Sequence, residues 1–133
     1  MNIVVRGCHN LVPFRKRVEQ RGRGAEEPNL GLLPCSSKIE AHQILHFFEH
    51  GADAVLILAC PEGACRQMEG NRRAARRAAY AAEWLTELGL NPGRLKFVSV
   101  EADQAPRLDD LIADFSAEMA ALGPTGLAGL RER

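Results

Sequence analysis

Two hydrophobic periods alternate along this chain, and their alternation predicts the elements. Residues 2–6 and 30–33 are short apolar runs, and residues 54–59 are apolar throughout. Runs of that length without polar alternation predict strands buried on both faces, as in parallel sheets. Residues 95–100 predict a fourth strand. Between these runs the spacing lengthens to the helical period. Ile39, Ile44, Leu45, Phe47 and Phe48 give a broad apolar face ending near His50, with Gly51 as its stop. Ser36 or Ser37 is placed to cap that helix, with Glu40 three residues after Ser37 in the manner of a capping box. A long helix is predicted over 71–88, where Ala75, Ala78, Ala79, Ala82, Leu85 and Leu88 recur at helical spacing before Gly89. A last helix is predicted over 109–122, with Leu111, Ile112, Phe115, Met119 and Leu122 inward and Gly123-Pro124 closing it. Residues 9–28 hold Pro13, Gly22, Gly24 and Pro28 among many charges, and there at most a short helix is expected, anchored by Val12, Phe14 and Val18.

The resulting order predicts an α/β fold: a small, open, mainly parallel four-stranded sheet with helices on both faces, flavodoxin-like or Rossmann-like. One domain over 1–124 and a C-terminal tail over 125–133 fit the length of 133 residues.

Composition narrows the function. Seventeen Lys and Arg balance seventeen Asp and Glu, so net charge gives no argument for a nucleic-acid partner. The charges are unevenly spread: segment 6–23 holds six cations against Glu19, and residues 99–133 hold seven acids against three bases. Such polarity either orients a docked partner or faces solvent. No signal-like start is visible, and the apolar run ending at Cys60 is far short of the ~20 residues that span a bilayer. A cytoplasmic protein without membrane insertion is expected. In that compartment four cysteines read as metal ligands or redox groups ahead of structural disulfides.

The cysteines sit where the strands end. Cys8 closes the first run, Cys35 follows the second, Cys60 follows the third, and Cys65 lies five residues further on. In a parallel sheet those ends share one edge, the edge at which such folds bind ligands. Four converging thiolates suit an iron–sulfur cluster or a zinc ion, whereas a single one reads equally well as a small buried hydrophobe. Cys60 and Cys65 form a C-x4-C pair, and no C-x2-C is present, which weakens the zinc reading. His9 adjoins Cys8; it reads as a loop histidine, with a ligand role as the alternative. His42, His46 and His50 share one helix face and read as a solvated stripe. Arg72, Arg73, Arg76 and Arg77 form a basic band beside the cysteine loop, either solvated or a docking patch for an acidic partner. No nucleotide, hydrolase or metalloprotease fingerprint occurs, and no thiol–disulfide C-x-x-C, so no catalytic residues are expected.

Residues 35–124 resemble the delta subunit of methyl-viologen-reducing hydrogenase, the small iron–sulfur protein of methanogen heterodisulfide-reductase complexes. The resemblance rests on Pro34-Cys35-Ser36, Gly51-Ala52-Asp53 leading to Cys60, the C-x4-C pair, Glu69-Gly70-Asn71 before an Arg-rich helix, and Gly123-Pro124. It implies a [2Fe–2S] cluster and an electron conduit in a hetero-oligomeric complex of anaerobic metabolism. The implied partners are a hydrogenase or other dehydrogenase and the flavin-containing A-type component of heterodisulfide reductase. Cys35, Cys60 and Cys65 match family cysteines, and Cys8 matches the first of the family's N-terminal pair. Leu11 stands where the second is usual, and the Arg-rich segment 15–23 departs from the family. The alternative, from a different class, is a zinc-stapled or metal-free scaffold module of a multi-subunit complex.

Overall fold

The computed structural model describes residues 2–8, 11–21, 29–33, 40–59, 70–100 and 107–125, and the side chains within them apart from those of residues 12, 13, 20, 21 and 70–74. In chain order the elements are β1 (Ile3–Cys8), α1 (Val12–Arg21), β2 (Asn29–Leu33), α2 (Ala41–Glu49), β3 (Ala54–Ala59), α3 (Gly70–Glu87), a 3-10 turn (Pro92–Arg94), β4 (Leu95–Ser99) and α4 (Leu108–Leu122). The four strands form one sheet in the order β2-β1-β3-β4, with every pairing parallel. The expected open parallel α/β fold is what forms.

The sheet divides the core into two layers. On one face Ile3 and Val5 of β1 and Ala54, Leu56 and Leu58 of β3 pack with Phe14 of α1 and Ile112, Phe115 and Met119 of α4. On the other, Val4, Val55 and Ile57 pack with Ile44 and Phe48 of α2 and Ala78, Ala81 and Leu85 of α3. Alternate residues of β1 and β3 thus face opposite layers, which is why β3 is apolar without a break. Arg6 is the polar exception in β1. Its Nη1 donates to the Asn29 carbonyl at 2.9 Å, and its guanidinium carbon lies 5.1 Å from the Phe47 ring centroid. Burial pushes its pKa below the ordinary arginine value.

A polar knot closes the edge where the strands begin. The buried Asp53 carboxylate accepts from the Asn2 backbone N–H at 2.7 Å and from the Thr125 N–H at 2.9 Å. Arg94, also buried, donates to the carbonyls of Asp53 at 3.2 Å and Gly123 at 2.7 Å. The starts of β1, β3 and β4 and the exit of α4 are thereby tied together, and the opposite edge is left for the site.

Three details differ from the sequence-based expectation. α1 is a full ten residues, because Pro13 is tolerated in a first turn and Phe14 is fully buried. The described part of α2 begins at Ala41, with Glu40 at the N-cap position; Gln43 Oε1 accepts from the Glu40 N–H at 2.8 Å. Ser36 and Ser37 lie outside the described residues. Among the described side chains of α3 the buried ones are Ala78, Ala81 and Leu85, whereas Ala75 and Ala79, and Leu88 just past the helix end, are exposed. The glycine stops hold: Gly51, Gly89 and Gly123 have φ of 98°, 84° and 79°, left-handed values that favour glycine. Among the described residues no helix is long and apolar enough to cross a membrane.

Candidate metal centre

Cys8 is the last residue of β1, a central strand flanked by β2 and β3. Its carbonyl accepts from the Leu11 N–H at 2.9 Å, which turns the chain into α1. The side chain is 2% exposed and packs with Leu11 and Phe14 in the α1/α4 layer. Gly7, just before it, lets Phe14 approach: an added Cβ would stand 2.5 Å from Phe14 Cδ2. The glycine therefore brings α1 directly onto the end of β1.

The neighbouring strands end at the same level. Cys8 is in register with Leu33, the last residue of β2, and Gly7 with Leu58, one residue before the end of β3. The Ala59 carbonyl accepts from the Val100 N–H at 2.9 Å, which fixes the end of β3 against β4. From β1 the chain winds to β2 on one side, and β3 and β4 continue on the other. The β1/β3 boundary is therefore the topological switch point, at whose carboxyl edge such sheets bind ligands.

Cys35 is two residues past β2, Cys60 is one residue past β3, and Cys65 lies between β3 and α3 in sequence. All three, and His9, lie outside the described residues. Cys8 is thus the one cysteine whose side chain is placed, and among the described residues no three metal-binding side chains come together.

Of the basic band, Arg72 and Arg73 fall in the first turn of α3, with side chains outside those described. Arg76 is exposed, and Arg77 is half-buried with Nη1 3.4 Å from Glu40 Oε1 at the start of α2. The histidine stripe is solvated, as its spacing predicts. His42, His46 and His50 are exposed, and the His46 and His50 ring centroids lie 3.7 Å apart.

Sequence reasoning missed two features. One is the Asp53 carboxylate, which reads as a polar residue before a strand; only its position opposite Asn2 and Thr125 gives it partners. The other is an outward stripe made by Tyr80 and Trp84 of α3 and Leu88 just past its end, hidden by the many alanines of that helix. Its signal was present in the i, i+4, i+8 spacing of the chain's single Tyr and single Trp.

The family model for the methyl-viologen-reducing hydrogenase delta subunit matches residues 23–123, which include Cys35, Cys60 and Cys65. The chain belongs to this family. The match begins beyond β1, so Cys8 lies outside it. Among similar proteins is an F420-non-reducing hydrogenase iron-sulfur subunit of Archaeoglobus profundus, 33% identical over 92 residues, covering 69% of this chain and 67% of that protein. The F420-non-reducing hydrogenase vhu iron-sulfur subunit of Methanocaldococcus jannaschii is 32% identical over 95 residues, 71% of each chain. A third relative has a different build. The A-type component of the ferredoxin:CoB-CoM heterodisulfide reductase of Methanosarcina mazei is 33% identical over 98 residues, 74% of this chain but only 12% of that protein. Family members thus stand as separate subunits or as a segment of a longer chain.

Proposed function

We propose that this chain is a non-catalytic electron-transfer subunit holding a [2Fe–2S] cluster through Cys8, Cys35, Cys60 and Cys65. The observation that carries the reading is the level ending of β2, β1 and β3 side by side. From each of those ends the sequence reaches a cysteine within two residues, at most about 7 Å of chain. Four thiols supply the four-thiolate donor set that a [2Fe–2S] cluster takes, the C-x4-C spacing occurs in plant-type clusters of that kind, and the relatives named as iron-sulfur subunits support an iron–sulfur group. The bound cluster would supply one-electron uptake and release. This chain's part is to provide thiolates, hold the Cys8 backbone through β1, and pack Leu11 and Phe14 into the apolar layer that contains the Cys8 side chain.

Electrons then pass from a hydrogenase or other dehydrogenase to a flavoprotein of the heterodisulfide-reductase A type. The Methanosarcina relative supports that acceptor, since there the corresponding segment is built into the A-type component itself. Arg72, Arg73, Arg76 and Arg77 would supply the basic side of a contact near the site. The test is optical. Anaerobically purified protein should absorb in the visible and bleach reversibly with dithionite. A colourless protein that still assembles with its partners would establish the zinc-bound or metal-free scaffold instead.

A further inference from the structure

Arg6 is the one charged side chain of β1, and it stands two residues before Cys8. It is half-buried. Its guanidinium carbon lies 5.1 Å from the Phe47 ring centroid, and Nη1 donates to the carbonyls of Asn29 at 2.9 Å and Val5 at 3.1 Å. Gly31, in register opposite, makes the room. An added Cβ there would stand 2.9 Å from the guanidinium carbon, so the group rests across β2 where a side chain would otherwise be. Among the described residues no carboxylate pairs with it. Glu40, before α2, holds Arg77, Glu49 of α2 faces His46, and the Asp53 carboxylate accepts from backbone N–H groups at the other edge. Taking a charge out of water without a counter-charge costs stability, and an apolar side chain would fill the place without that cost. An arginine keeps its charge at neutral pH. The strand thus carries a fixed, uncompensated positive charge about 7 Å, by the rise of two residues, from the level where β1 and β2 end.

We propose that Arg6 raises the reduction potential of the cluster at that edge through its charge. This deepens the functional reading above and rests on it for the cluster. One-electron uptake, with the electron coming from the donor dehydrogenase, adds a negative charge at the strand ends and makes or breaks no bond in the chain. A positive charge nearby favours the reduced form, and net charge is among the properties that set the potential of such clusters. Salt screens exposed charges beyond about 10 Å at ~0.1 M and screens partly buried ones much less, so Arg6 acts at this range where an exposed arginine such as Arg76 is weakened by water and ions. The Asn29 and Val5 carbonyls and the Phe47 ring hold the guanidinium in one place, so its field is not averaged over side-chain conformations. A role confined to fastening β2 to β1 and α2 would need the hydrogen bonds and the ring contact but not the charge. Neutralising the side chain separates the two roles.

A redox titration of the anaerobically purified full chain, followed in the visible, reads the midpoint potential. Arg6→Gln should lower the equilibrium constant for reduction about ten-fold, which for one electron is about 59 mV. Arg6→Lys keeps the charge and should stay close to wild type. Citrulline at position 6 supplies a second neutral variant, with the shape of arginine, should Arg6→Gln fail to fold. It enters by ligating a synthetic peptide of residues 1–7 to a chain that begins at Cys8, and it should lower the potential as Arg6→Gln does. Iron content should be unchanged throughout. A wild-type potential in the neutral variants overturns the proposal. So does an equal shift in Arg6→Lys, because packing and not charge would then be the cause. A colourless wild-type chain overturns the cluster and this inference together, whereas a coloured chain whose potential ignores the charge at position 6 overturns this inference alone.

Discussion

A methyl group on Gly7 would press into the Phe14 ring, with contacts of 2.5 and 2.6 Å to two ring carbons. The ring belongs to a buried side chain and has no room to withdraw. Gly7→Ala should therefore destabilise the fold by about 1–3 kcal/mol, as overpacking does, and a lower urea midpoint with unchanged slope would show it. At the far edge, Asp53→Ala strips the acceptor from the N–H groups of Asn2 and Thr125 and should cost about 1–3 kcal/mol in the same assay. These single residues were only half legible in the sequence. Gly51-Ala52-Asp53 stood out as a motif, but the role of Asp53 depends on partners 51 and 72 positions away, which no local pattern shows. Cys8 was legible as the end of a strand. Its burial against Leu11 and Phe14 follows from α1, whose ten residues the charge-rich sequence concealed. The site itself makes the third prediction at this scale. Cys60→Ser should lose iron and His46→Ala should not, since His46 lies exposed on α2. Retained iron in the first variant with loss in the second would remove the strand-end argument.

The elements were more legible than the residues, to a degree set by how much contrast each offers. β3 was legible to its last residue because six consecutive apolar side chains have no other place than between two layers. α3 was legible as a helix but not in its rotation. In an alanine-rich helix small residues occupy every side, so the pattern points Leu88 inward and passes over Ala81. The basic band at the start of α3 carries a prediction at this scale. Reversing Arg73 and Arg76 to Glu should slow electron delivery or weaken assembly, most at low salt, because surface charges act over about 10 Å at ~0.1 M. Iron content should stay unchanged. Kinetics indistinguishable from wild type across a salt titration would reduce the band to a solvated turn of helix. Arg77 is kept out of that variant because it holds Glu40 and joins α3 to α2.

At the scale of the molecule the two edges of the sheet divide the labour. The edge where strands begin is sealed by Asp53 and Arg94, and the edge where they end presents Cys8 between the ends of β2 and β3. Element order alone made this architecture readable, since strands alternating with helices enforce a parallel sheet and gather their carboxyl ends. The central claim is that four thiols at that edge hold a two-iron cluster. Iron, acid-labile sulfide and zinc measured on the anaerobically purified full chain test it most directly. The expected result is about two irons and two sulfides per chain, as a [2Fe–2S] cluster requires. Stoichiometric zinc without iron or sulfide would contradict it.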